Sequence, residues 1–209
     1  MEKLIVFFLL LLLSGCGKTE FQGIPAESYV GFVEEFTRDL GIPSVETAPS
    51  KNAGREVRIW VRPALMRLQY FVRLISDGNK VSGDVILWWD NRDMPQVDLF
   101  RSAFYADNRC KKTTVGETYD FCHVPLRKSR NWQEVQAFFE DHSIWTLGAQ
   151  KPRPWTAWDG VSLLVEARDS SGRHLYFFDN PVFSYDTQDA NAASIIEYTQ
   201  DLAPPVHFP

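Results

Sequence analysis

Asp141-His142-Ser143 sets three residue types used in nucleophilic hydrolysis side by side. A working relay needs the serine hydroxyl, the imidazole and the carboxylate joined in one chain of hydrogen bonds. Consecutive residues at a helix end point in different directions, so the triplet predicts a helix C-terminus whose histidine suits the dipole. The other histidines, His123, His174 and His207, are scattered without ligand spacing. No G-x-S-x-G, H-E-x-x-H or G-x-x-x-x-G-K-[ST] motif occurs in the chain. Carboxylates such as Asp90 with Asp93, or Glu134 with Glu140, could serve general acid–base chemistry only if a cleft held them at a set separation. Surface charge is the simpler expectation for them. No catalytic residue, metal ligand set or cofactor is therefore expected.

At the N-terminus, Leu4 to Leu13 are ten consecutive apolar residues behind Met1, Glu2 and Lys3. A bilayer-spanning helix needs about 20 such residues, whereas the apolar core of a secretory signal needs about 7–15. The run leads into Leu13-Ser14-Gly15-Cys16, which resembles the lipobox of bacterial lipoproteins. The resemblance covers residues 1–16 only, and the charged start is thinner than usual because Glu2 offsets Lys3. It implies that residues 1–15 are a cleaved signal peptide and that Cys16 is the first mature residue. It also implies diacylglycerol on the Cys16 thiol and an acyl chain, such as palmitate, on its amine. Several chains at about 0.8 kcal/mol per buried CH₂ make such an anchor effectively permanent. Gly17 stands where the family uses Asp to retain lipoproteins at the inner membrane, so the expected location is the outer membrane, facing the periplasm.

Cys110 and Cys122 remain, in RCKKTTVGETYDFCH. An exported chain meets an oxidising compartment, where an even pair predicts a disulfide. A metal site using both thiolates and His123 would need a fourth ligand that the sequence does not place. The net charge of −5 argues against a nucleic-acid partner, while 44% hydrophobic and 14% aromatic content indicate a globular chain. Roughly 190 mature residues suffice for one domain with a real core.

Residues 16–23 form an expected tether, and 24–209 a single domain. A helix is predicted after Pro25, with Tyr29, Phe32, Val33, Phe36 and Leu40 on one stripe, ended by Gly41 and Pro43. Strand-like runs follow at 55–62, 67–76 and 81–90. With Gly78-Asn79 as a two-residue turn, Arg73 faces Asp84, Val72 faces Val85 and Tyr70 faces Leu87. Residues 91–128 read as irregular, apart from a candidate strand near Val97–Tyr105. A second helix is predicted from Asn131, with Glu134 completing a capping box. A hairpin of 161–168 and 173–180 turns at Asp169-Ser170-Ser171-Gly172, and a last helix spans about 189–202. Because His174-Leu175-Tyr176-Phe177-Phe178 is apolar on both faces, that strand is expected inside the sheet. The fold class is α+β: an antiparallel sheet built from hairpins, with about three packed helices and one disulfide.

One face of this sheet would carry Arg58, Trp60, Arg62, Phe71 and Trp88. Either another element covers these aromatics, which is the simpler expectation, or they form a surface for a protein or glycan partner. Trp155 and Trp158, in a Pro-containing loop, are the alternative exposed aromatics. Two functional classes stay open. One is a membrane-tethered, non-catalytic binding or assembly module, such as an adaptor or an immunity-type inhibitor. The other is an envelope hydrolase acting on peptidoglycan or another wall polymer.

Overall fold

The computed structural model describes residues 31, 33–34, 36–38, 40–43, 54–63, 68–90, 113–115, 119–151, 160–170, 172–182 and 185–203. Cys16, Cys110, His207, Trp155, Trp158, the signal and tether, and the candidate strand at 97–105 lie outside them. Seven strands form one sheet: β1 (Arg55–Pro63), β2 (Gln69–Asp77), β3 (Lys80–Asp90), β4 (Thr113–Val115), β5 (Tyr119–Val124), β6 (Val161–Asp169) and β7 (Gly172–Asp179). Their spatial order is β4-β5-β3-β2-β1-β6-β7. Every neighbouring pair is antiparallel. The α+β reading with an antiparallel sheet holds.

The β2–β3 hairpin adopts the expected register, with Arg73 opposite Asp84, Val72 opposite Val85 and Tyr70 opposite Leu87. Asp77 pairs with Lys80 around Gly78-Asn79, and Gly78 takes φ +57°, the left-handed conformation that glycine enters at no steric cost. One face of the sheet packs under α2 (Trp132–Asp141) and α3 (Thr187–Leu202). Val72, Leu87, Trp89, Leu163, Val165 and Phe178 from the strands join Val135, Phe139 and Ile195 from the helices in a buried cluster. Asn131 caps α2 as anticipated: its side chain accepts from the Glu134 N–H at 3.0 Å. Gly83 lets that helix approach, since a Cβ there would lie 2.6 Å from the Trp132 ring.

The opposite face is also covered. Residues 31, 33–34 and 36–38 are helical, labelled α1, and their Val33 and Phe36 side chains are buried against the second face. The sheet is therefore the middle of three layers.

Two expectations fail for one shared reason. Strands β4 and β5 lie within the stretch read as irregular. In β5 the adjacent Phe121 and Cys122 are buried on opposite faces, so the period-two alternation that marks a half-buried strand is missing. And β7, expected inside the sheet, is an edge strand. Its Phe177 and Phe178 are buried on opposite faces because layers cover both sides of the sheet out to its last strand. Apolar residues on both faces reported cover above and below, not a neighbour on each side.

Candidate interaction site

The face carrying Arg58, Trp60, Arg62, Phe71 and Trp88, offered as a partner surface only if left uncovered, is covered as the simpler expectation had it: Trp60, Phe71 and Trp88 are buried. Trp60, Phe71 and Trp88 join Ile86, Phe121, Leu164 and Phe177 under α1. Phe36 sits among three rings, 5.4 Å from Trp60, 5.0 Å from Trp88 and 6.2 Å from Phe121. Trp60 and Phe71 lie 4.2 Å apart beneath it. An amphipathic helix must bury its apolar stripe, and this face supplies the matching surface. Arg58 is buried and Arg62 half-buried.

Beside these rings the same face carries a row of charge. Arg58 lies opposite Arg73 on one side and Glu166 on the other, and Arg73 lies opposite Asp84. Glu56 accepts from the Arg58 Nε at 2.9 Å and the Arg73 Nε at 2.7 Å. Arg58 also donates through Nη2 to the Pro43 carbonyl, which fastens the chain after α1 to the sheet. Glu166 accepts from Arg173 Nη2 at 2.9 Å. Charges this deep persist only when paired, and two carboxylates shared among three guanidiniums provide that. The arrangement is structural: Glu56 and Glu166 are buried and spend their carboxylates on neighbouring guanidiniums.

The other chemical candidates disperse. His142 caps α2 and stacks on Phe138 at 4.0 Å, with its Nδ1 2.8 Å from the Phe138 carbonyl. Ser143 follows in the left-handed region at φ 58°. Phe138 in turn stacks on Tyr198 at 3.7 Å, and the Arg130 guanidinium lies 5.0 Å over that ring. The stack clamps α2 to α3, and Asp141, His142 and Ser143 make no relay. Glu140 bonds Arg55 at 3.2 Å, and Glu134 serves the α2 cap. His123 is exposed on β5 and His174 half-buried on β7. Cys122 is fully buried. Among the described residues no group of three or more metal-ligating side chains occurs, and no helix is long and apolar enough to cross a membrane.

What the sequence did not single out is the outer side of β7. The hairpin register continues so that Asn180 donates to the Val161 carbonyl at 2.9 Å. Backbone groups alternate in direction along an antiparallel strand. Asn180 therefore points toward β6, and Arg173, Leu175, Phe177 and Asp179 present their N–H and C=O groups outward. The Gln150 amide confirms the alternation. Its Nε2 donates to the Asp179 carbonyl, and its Oε1 accepts the Asp179 N–H, both at 2.9 Å. A single side chain thus imitates the next strand at one position. Asp189, buried in the first turn of α3, holds the Gln150 amide at 3.2 Å from its Oδ1.

Leu175, at the middle of β7, is 40% exposed. Natural sheets blunt their edges with short strands, lysine, proline or bulges. At the far edge, β4 is only three residues long. The β7 segment GRHLYFFD spans eight residues and contains neither lysine nor proline. The signal available in the sequence was a segment without lysine or proline, with Leu175 next to His174 and Arg173. It becomes readable only once the strand order is known. No family model, curated protein or solved structure matches the chain.

Proposed function

We propose that the chain is an envelope lipoprotein, anchored through acylated Cys16 and working as a non-catalytic binding or assembly module. Adaptor and immunity-type inhibitor roles both fall within this class. The observation that carries the reading is Leu175, a large apolar side chain 40% exposed at the centre of β7, the last strand of the sheet among the described residues. An exposed apolar side chain held on a rigid strand can anchor a partner with no catalytic group required. The lipobox supports attachment to a membrane, and Gly17 supports the outer membrane facing the periplasm.

Two measurements test it. Intact mass of the protein purified from its own envelope should show residues 1–15 removed and Cys16 lipid-modified; an unmodified Met1 would overturn the anchor. Crosslinking in that envelope should capture a partner with wild type and lose it with Leu175→Lys. Release of fragments from purified wall polymer by the protein would instead establish the hydrolase.

A further inference from the structure

We infer that the Arg62 end of the aromatic face binds the C-terminus of a peptide, taking its carboxylate and the amide N–H beside it. The site goes beyond the binding role proposed above and does not use Leu175, which lies two rows further along the same face.

Three polar groups meet on this stretch of sheet. Trp60 and Arg62 are two residues apart on β1, so their side chains leave the same face. Carrying the Val61–Tyr70 pairing one residue on sets Gln69 of β2 opposite Arg62, and Gln69 lies opposite Trp88 on its other side. Trp60 is 1% exposed and Gln69 8%. Among the described residues, neither the Trp60 indole N–H nor the Gln69 Oε1 has a hydrogen-bond partner. Arg62, half-buried, likewise makes no hydrogen bond or ion pair among them. An orphaned donor and an orphaned acceptor each oppose folding, and such groups call for something that completes them.

The three groups specify that ligand. A guanidinium fork matches the two oxygens of a carboxylate, and the Trp60 N–H can donate to one of those oxygens. The Gln69 oxygen then requires an N–H close beside the carboxylate, the pattern of a chain end. That N–H belongs to an amide, not an ammonium, because Gln69 is neutral and a second cation beside Arg62 would be buried unpaired. Ser162, opposite Arg62 on β6, turns its hydroxyl to Asp179 at 3.3 Å, so the acid on this row lies two strands from Arg62. Exposure rises from Trp60 through Gln69 to Arg62, which places the mouth at the guanidinium. A chain end can enter there, whereas an internal segment has no carboxylate to offer.

The experiment uses the full chain in detergent micelles, with N-acetyl-alanyl-alanine as the probe. The peptide should shift the Trp60 indole N–H resonance saturably, the resonance being assigned through Trp60→Phe. Isothermal titration gives the same affinity if that variant does not fold. The peptide's C-terminal amide, which lacks the carboxylate, and free alanine, whose nitrogen is an ammonium, should both bind at least about tenfold more weakly. Arg62→Gln and Gln69→Leu should each weaken the peptide by at least about the same factor. Gln69→Leu also has a readout that a purely structural glutamine would not give: without the orphaned oxygen, the urea midpoint of the ligand-free chain should rise. No binding at about 10 mM peptide overturns the inference, as does binding that Arg62→Gln leaves intact, or a lowered midpoint in Gln69→Leu. Free alanine binding more tightly than the peptide overturns the chain end as ligand. A chain that ignores the peptide yet crosslinks to a partner through Leu175 would sink this site and leave the binding module standing. A chain that binds the peptide and digests wall polymer would do the reverse.

Discussion

Glu56 accepts from two guanidiniums while only about a tenth of its side chain meets solvent. Removing it leaves Arg58 buried with a carbonyl as its remaining acceptor, so Glu56→Ala should cost about 3–5 kcal/mol in urea unfolding. Arg73→Ala leaves the Glu56–Arg58 bond in place and should cost roughly 1.5–3 kcal/mol. From the sequence, Arg73 read as one half of a pair with Asp84. Its position opposite Asp84 was legible, but its real partner was not. Glu56 lies on a strand whose pairing with β2 no turn signal specified. Asp186 offers a second test. Its carboxylate caps α3 by accepting the Asp189 N–H at 2.9 Å, and that bond, with Lys151 beside it, holds its pKa below the ordinary 3.8. A lowered pKa contributes stability that is present above the unfolded value and lost as pH falls through the folded one. Asp186→Ala should therefore cost about 1 kcal/mol at neutral pH, and the difference from wild type should shrink in acid, below 3.8.

Among the elements, α1 covers the aromatic face of the sheet with Val33 and Phe36. Phe36 touches three of the rings below it, so Phe36→Ala should cost about 3–5 kcal/mol and expose Trp60 and Trp88, shifting tryptophan emission to the red. Unchanged emission in a folded variant would mean that α1 does not shield them. The β2–β3 hairpin and the α2 cap were legible because their determinants are local: a Gly-Asn turn with matched side chains, and Asn131 three residues before Glu134. Strands β5 and β7 were not, because their residue pattern records which layers lie above and below, and those layers come from distant sequence. For Trp60 and Trp88, cover was the simpler expectation, but which element supplies it was not readable, because the covering helix and the aromatic face are distant in sequence.

Over the whole molecule, the two ends of the sheet are unlike. One ends on the three-residue β4 and the other on the eight-residue β7. Cys122 lies in β5, next to the β4 end, and Cys110 precedes β4 by three residues in sequence. We propose that the two form a disulfide, which would secure this edge. Closing a loop of about thirteen residues is worth roughly 3 kcal/mol. Thiol counting on the denatured, unreduced exported protein should find neither cysteine free, and reduction should lower the urea midpoint. Two free thiols would remove the bridge and leave β4 held by its short ladder alone. An antiparallel α+β fold without βαβ units was legible from hairpin spacing, whereas the strand order was not. That order depends on which edge of β1 the second hairpin joins.

That junction sets an order of events for folding. β1, β2 and β3 follow one another along the chain, and β6 and β7 form a hairpin of their own. The two groups meet only where Arg55–Pro63 pairs with Val161–Asp169, across about a hundred intervening residues. Each group can pair early, since the entropy of closing short loops is small, whereas the β1–β6 ladder must wait for the longest closure in the sheet. Until then β1 shows an open edge of its own, carrying Val57, Ile59 and Val61 with none of the Gln150 capping that β7 has. On this order the nascent chain would pass through a stage with a transient open edge, at a strand that ends almost wholly buried.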